Sequence, residues 1–472
     1  MPLKQFTVDF SELSQNETIR LCLPFVLPTI QYKYDKINNY LDLCESGKRP
    51  KGGIVEGSEG EAISLGGGQI NVDGTVDLSK IPYVSYSFYE RASKGKIKNE
   101  DILICKDGAL TGKTCFVDFS VFPSNEVMIN EHVYILRGNE KINQKFLFFL
   151  TTTHLFQSQI KDLAYRKKAQ PGLNSDHFEK IKIPLIPKST QDQIVAQIEP
   201  IEKKIKELKA QIKEPQEIIN KIFAREFGFD LKKFEELKKI KNYYLDLSSF
   251  GNNKDIRQSV KFHREAGYFV NDELKKVTDK KIKNFISEPI VLGKGVSPSN
   301  YDDEGDYYYI SMANIKNWKF ENEGSTLVSK EYSDKNLNKT VSKNDILIAR
   351  SGEGTIGKVA LIADEDLQGI FADFTMRIRL QNYNHLFAYY YFRTEYFQYL
   401  IEINKKGLGN NTNIFPSQIQ EFPMIDISLK DQQKIVDEIK TELDKQNEMK
   451  YKIESERNKI DEIIEKRIKY DL

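Results

Sequence analysis

Residues 191–227 read QDQIVAQIEPIEKKIKELKAQIKEPQEIINKIFAREF, and this stretch decides the architecture. Ile194, Ile198, Ile201, Ile205, Leu208 and Ile212 recur in steps of four, three, four, three and four, with Lys, Glu and Gln filling most positions between. Such spacing predicts a helix carrying a coiled-coil seam. The pattern returns near the C-terminus, where Gln432, Ile435, Val436, Ile439 and Ile453 stand 241 positions after Gln191, Ile194, Val195, Ile198 and Ile212 (435 minus 194 is 241). Ile219, Ile222, Phe223 and Phe227 map by the same offset onto Ile460, Ile463, Ile464 and Ile468. Two long matching helices, each preceded by a globular block, make the chain a tandem duplication.

The first helix spans 37 residues, about 55 Å at 1.5 Å per residue. Pro215 lies inside it and predicts a kink near Lys213, because proline removes a backbone donor and clashes with the preceding turn. Gly228 follows as a natural C-cap. Around these helices the chain divides into a globular block over 1–187, a helix over 188–228, a second block with an N-terminal connecting segment over 229–427, and a helix over 428–472.

The blocks match as well. Asp9, Ser11, Asn16, Ile19 and Arg20 correspond to Asp246, Ser248, Asn253, Ile256 and Arg257, all at an offset of 237. Ile63-Ser64-Leu65 is set against Ile310-Ser311-Met312. Asp101-Ile-Leu-Ile and Asp345-Ile-Leu-Ile are each followed by a glycine-rich turn ending in Gly-Lys, which reads as a buried strand and hairpin. Phe146 to Ile160 and Phe387 to Ile401 carry apolar residues at helical spacing. The blocks close on Ile183-Pro-Leu-Ile-Pro187 and Phe422-Pro-Met-Ile425, where proline ends a strand ahead of the long helix.

With 39% apolar and 29% charged residues over 472 positions, the chain has the composition of a multi-domain globular protein. Seventy basic residues against 69 acidic ones leave a formal charge of +1, so any polyanion site must be local. Cys22, Cys44, Cys105 and Cys115 show no CxxC spacing, which argues against zinc and a disulfide scaffold and fits a cytoplasmic location. Leu21 to Ile30 is short and broken by Pro24 and Pro28, so no signal peptide or membrane span is expected.

Catalytic motifs are incomplete. Gly108 to Lys113 resembles a P-loop one residue short, and Gly352 to Lys358 has the spacing but ends in Val359 where a hydroxyl must meet magnesium. Both run into apparent strands instead of the helix a phosphate site needs. His132, His154, His177, His263 and His385 show no metal spacing. No Asn-Pro-Pro-Tyr or Asp-Pro-Pro-Tyr tetrapeptide occurs. Basic and amide side chains do cluster in loops, at Arg166-Lys167-Lys168 with Gln170 and Asn174, and at Lys405, Lys406, Asn410, Asn411 and Asn413. Lys and Arg neutralise phosphates, while Asn, Gln and Arg read base edges. On that chemistry the DNA-contact candidates are Lys106, Lys113, Arg166 and Lys167 in the first block, and Arg350, Lys358, Lys405 and Asn411 in the second.

Taken in order, Asp101-Ile-Leu-Ile with Gly112-Lys113, Ile183-Pro-Leu-Ile-Pro before Gln191, Phe227-Gly-Phe229, and Asp345-Ile-Leu-Ile-Ala-Arg-Ser-Gly with Gly357-Lys358 resemble the specificity subunit of type I restriction-modification systems. The likeness covers essentially the whole chain. It departs in the long segment from Phe229 to Ile286 and at Asp426, where the first copy has proline. The resemblance implies a mixed α/β (α+β) fold of two tandem target recognition domains, each followed by a long helix, the helices pairing as a coiled coil with pseudo-twofold symmetry. Each domain would read one half of a bipartite, asymmetric double-stranded DNA target. Two methyltransferase subunits would dock beside the helices, with restriction subunits as further partners. S-adenosylmethionine would belong to the methyltransferase, leaving this chain without a cofactor, a metal or catalysis. Two other readings stay open: a coiled-coil interaction scaffold without DNA specificity, and the specificity subunit of a type II-like assembly.

Overall fold

The computed structural model describes residues 25, 27–50, 55–56, 61–164, 171–246, 248, 261–352, 354–407 and 412–468. The expected match of Asp9 to Arg20 with Asp246 to Arg257 therefore lies largely outside the described residues. The chain divides into two compact units, one formed by Met1–Ala210 with Tyr451–Leu472 and the other by Gln211–Lys450.

In the first unit the Asp-Ile-Leu-Ile strand, Ile102–Cys105, is central to a four-stranded antiparallel sheet with Leu41–Ser46, Val133–Gly138 and Thr114–Phe116. Ile102 sits opposite Phe116 on one side and Leu136 on the other. Ile102 and Ile104 join a core with Phe146, Phe156 and Ile198, while Leu103 and Cys105 face a second core with Leu65 and Ile129. Burial on both faces explains why this strand is continuously apolar instead of alternating. The second unit repeats the design. Ile346–Ala349 lies between Thr375–Ile378 and Val359–Leu361, with Ile346 and Ile348 in one core and Leu347 and Ala349 in another.

The Asp that opens each central strand is an anchor. Arg137 donates through Nε and Nη2 to Asp101 at 2.7 Å each, and Arg379 does the same to Asp345 at 2.8 and 2.7 Å. Both carboxylates also accept a backbone N–H, from Lys98 and Ser342.

A parallel strand pair accompanies each sheet, with Leu65 beside Ile129 in the first unit and Ile310 beside Phe371 in the second. Gly66 N–H then donates to Gln69 Oε1, and Ser311 N–H to Asn314 Oδ1, both at 2.9 Å. Leu65 thus corresponds to Ile310, an offset of 245 (310 minus 65), which corrects the alignment of Ile63 with Ile310. Gly66 and Ser311 have little in common as side chains, so the turn they share is hidden from residue matching. The helical spacing over Phe146 to Ile160 and Phe387 to Ile401 belongs to helix pairs, Gln144–Thr152 with His154–Ala164 and His385–Arg393 with Glu395–Asn404. The breaks fall at Thr153 and Thr394, whose hydroxyls accept the N–H of Phe156 and Phe397.

The first long helix is also interrupted, which corrects the kink to a break. Lys188–Gln211 ends, Glu214 is extended, and Pro215 opens a new helix, Pro215–Phe227, at the position where its missing N–H costs nothing. Lys213 N–H, freed by the break, donates to buried Gln446 Oε1 at 2.8 Å. Pro200, in contrast, is accommodated inside Lys188–Gln211. Gly228 caps the second piece in the left-handed region at φ 72°. The C-terminal helix, Leu429–Ile468, runs unbroken for 40 residues.

Each unit contains a pair of antiparallel helix segments drawn from both repeats. In the first, Ile194 and Ile198 share a core with Ile464 and Ile468, and Lys204 reaches Glu456 at 2.7 Å. In the second, Ile218, Ile219, Ile222 and Phe223 share a core with Ile435, Val436 and Ile439, and Arg225 grips Glu438 with bonds of 2.8 and 2.6 Å. Of the expected seam, Ile194, Ile198, Ile205, Ile435, Ile439 and Ile453 are buried, while Ile201, Leu208, Ile212 and Ile460 are half-buried. Phe229 to Ile286 contributes Phe229 and Phe234 to the second unit's core, where both rings meet Tyr396.

In the first unit the Gly74 turn also braces the helices, through Asp73 bound to Lys209 and to Arg457 at 3.4 Å. Partial burial alone would raise the Asp73 carboxyl, but Lys209 and Thr75 hold it down at about 2. A carboxylate depressed on folding adds stability above its unfolded value, near 3.9, which is lost as pH falls through the folded value. Wild-type stability should therefore fall more steeply than that of Asp73→Asn between about pH 4 and 2. Parallel slopes in denaturant titrations across that window would refute the brace.

Candidate nucleic-acid interface

The Gly-Lys turn that imitates a P-loop is a packing device. Gly112 and Gly357 hold φ of 90° and 85°. A Cβ at Gly112 would press to 2.8 Å from Ile160, and one at Gly357 to 2.9 Å from Ile401. Gln157 Nε2 donates to Gly112 O at 2.9 Å, and Gln398 Nε2 to Gly357 O at 2.9 Å. The strands that follow, Thr114–Phe116 and Val359–Leu361, leave no helix N-terminus for a phosphate.

This hairpin brings Lys106 and Lys113 to one turn in the first unit, and Arg350 and Lys358 to the equivalent turn in the second, all four half-buried. The backbone around Lys106 and Arg350 is held alike. Lys106 N–H donates to His132 O at 2.8 Å and its carbonyl accepts Leu173 N–H at 2.9 Å. Arg350 N–H donates to Phe374 O at 3.0 Å and its carbonyl accepts Ile414 N–H at 2.9 Å. The next residues, Asn174 and Phe415, are the N-caps of short helices, Ser175–Phe178 and Pro416–Ile419.

The side chains on this common frame differ. In the first unit, Lys106 Nζ lies 5.7 Å from the Tyr134 ring centroid, and the two residues line a cleft of about 300 Å³ with Asp107, Gly172, Asn174 and Ser175. Asp107 Oδ2 is 2.9 Å from His132 Nδ1, whose Nε2 lies 3.2 Å from Glu131, itself 3.1 Å from Arg49. In the second unit, the Arg350 guanidinium lies 5.9 Å from the Phe374 ring and 5.5 Å from the Phe415 ring. Phe374 is 47% and Phe415 37% exposed. Arg350 Nε contacts Asn413 Oδ1 at 3.4 Å, and no carboxylate pairs with the guanidinium among the described residues.

Arg166, Lys167 and Asn411 lie outside the described residues. Lys405 is mostly buried, its ammonium bonded to Glu402 Oε2 at 2.6 Å, so its charge is already engaged within the second unit. His132, Phe374 and Phe415 were not among the candidates from sequence. Large aromatic side chains in otherwise polar turns, Ala372-Asp-Phe-Thr375 and Asn413-Ile-Phe-Pro416, are the signal that points to the last two.

Fold and frame define a protein built from two homologous globular units with divergent basic loops. The family model for the type I restriction modification DNA specificity domain matches residues 42–217 and again 289–458, and the chain belongs to that family. It is 31% identical over 98 residues to a protein of Haemophilus influenzae named for a type I restriction enzyme specificity subunit; the match covers 21% of this chain and 23% of that one. Similar solved structures include a chain from work on complex assembly and conformational transition of the type I R-M system, with 14% identity, a TM-score of 0.48, and 95% of this chain and 100% of that one covered. The S subunit of the type I restriction-modification system from M. genitalium gives 13% identity and a TM-score of 0.41 over 96% of this chain and 100% of that one. Among the described residues, no helix is long and apolar enough to cross a membrane.

Proposed function

We propose that this chain is a DNA specificity subunit that reads a bipartite, asymmetric duplex target and directs methyltransferase subunits, and restriction subunits where present, to it. The observation that carries this reading is the double match to a DNA specificity domain, one per repeat, on units sharing a frame but not its exposed side chains. Two related readers of different surface chemistry suit half-sites that differ in sequence, and reader separation would set their spacing. Lys106 and Lys113 in the first unit and Arg350 and Lys358 in the second are the contacts this reading favours, with Arg166, Lys167 and Asn411 as further candidates. The chain acts without catalysis of its own, in the cytoplasm, while two methyltransferase subunits bind S-adenosylmethionine and supply the chemistry.

The test is a methylation map of host DNA from cells co-expressing the chain with the methyltransferase encoded beside it, against cells lacking the chain. A split motif that disappears with the chain is the expected result. Unchanged methylation, with the chain soluble and bound to the methyltransferase, would sink the reading.

A further inference from the structure

The positions Lys106, His132 and Asn174 in the first unit match Arg350, Phe374 and Phe415 in the second, at offsets of 244, 242 and 241. The same two backbone bonds tie Lys106 and Arg350 to the residue of the second position and to the residue just before the third, yet no side chain is retained at any of the three. The surrounding framework behaves oppositely. Asp101 and Asp345, Gln157 and Gln398, and Gln191 and Gln432 keep both identity and partner. Gln191 Oε1 accepts Asn143 N–H at 2.7 Å, and Gln432 Oε1 accepts Asn384 N–H at 2.8 Å. Divergence on a fixed, solvent-facing frame is what a reader of two different half-sites needs.

From this slot we infer that residues 106, 132 and 174, and 350, 374 and 415, are the paired base-reading positions, and that Arg350 reads a guanine in the major groove of its half-site. The inference rests on the proposal that each unit reads one half-site. A guanidinium presents two parallel N–H donors that match guanine O6 and N7. Arg350 lies beside two partly exposed phenyl rings, which narrow the space its guanidinium can sweep, so less freedom is lost on contact. Its two terminal nitrogens have no hydrogen-bond partner among the described residues, which leaves both donors for a ligand. The same fork can grip a phosphate, but apolar flanks suit a strongly hydrated phosphate poorly. The first-unit slot is different chemistry: Lys106 donates, while Asp107 offers carboxylate oxygen beside it. That mixture does not select guanine alone, so the two half-sites should differ at this position.

The experiment uses the full chain assembled with its methyltransferase, wild type against Arg350→Lys and Arg350→Ala. Methylation rates are measured on duplexes carrying every base at each position of the mapped target. Arg350→Lys keeps the charge but loses the parallel donors, and should cut discrimination at one G·C pair of one half-site roughly ten- to a hundred-fold. The other half-site should be read as before. Phe415→Ala, which frees the guanidinium, should weaken discrimination at the same pair. An equal fall at all sequences with a shallower salt dependence would mean a phosphate contact and overturn the inference. Relaxation at an A·T pair, or unchanged discrimination by both Arg350 variants, would overturn it too. A wild-type complex that produces no split motif would instead bring down the specificity-subunit reading itself.

Discussion

Removing residues 451–472, which close the chain, is expected to destabilise the first globular unit and to leave the second standing. Ile464 and Ile468 belong to the first unit's core, beside Ile194, Ile198, Phe146 and Phe156. Deleting a buried isoleucine side chain costs about 2–5 kcal/mol when the cavity cannot collapse. Two such losses are of the order of a domain's whole stability, about 5–15 kcal/mol. Lys204 also loses Glu456 in the process. Hydrogen exchange measures this directly: amides of Ile102–Cys105 should lose protection, while those of Ile346–Ala349 keep it. Equal protection of Ile102–Cys105 in the truncated and full chains would show that the shared core contributes little. The second unit depends on the first repeat in the same way, through Ile218, Ile219, Ile222 and Phe223. The repeat in sequence is therefore not the unit that folds.

This exchange of helix segments was only half legible in the sequence. The seam and the 241-residue offset show that the helices are related, because apolar spacing is a local property. Which end packs in which unit depends on chain direction and on tertiary contacts that no local window contains. The central strands were readable for the opposite reason, since burial on both faces leaves a continuous apolar run at Ile102–Cys105 and Ile346–Ala349. Proline at position 215 predicts a kink where the helix instead breaks, because the outcome turns on Gln446, which is distant in sequence yet satisfies the freed N–H of Lys213. At the candidate interface, charge identified Lys106 and Arg350 but not their setting. A basic residue in a loop looks the same whether a carboxylate neutralises it, as Glu402 does Lys405, or aromatic rings flank it, as Phe374 and Phe415 do Arg350.

Asp101→Ala and Asp345→Ala should each cost about 3–5 kcal/mol, because each leaves an arginine and a backbone N–H without the carboxylate they share. The Asp345 penalty should be the smaller, since Arg379 keeps Glu288 at 3.4 Å while Arg137 keeps no paired carboxylate among the described residues. Denaturant titrations of the two variants give this comparison, and a cost below about 1 kcal/mol in either would mean the pair is held by its surroundings rather than holding them. Arg350→Lys is the opposite kind of change. Arg350 has no ion pair to lose, so its stability effect should be small where its effect on base choice is large. If both expectations hold, the energetics of the two copies separate by residue: the Asp–Arg anchor and the glutamine braces fix the frame, and the slot above them is free to vary. Duplication can then generate two different readers without either domain having to find a new fold.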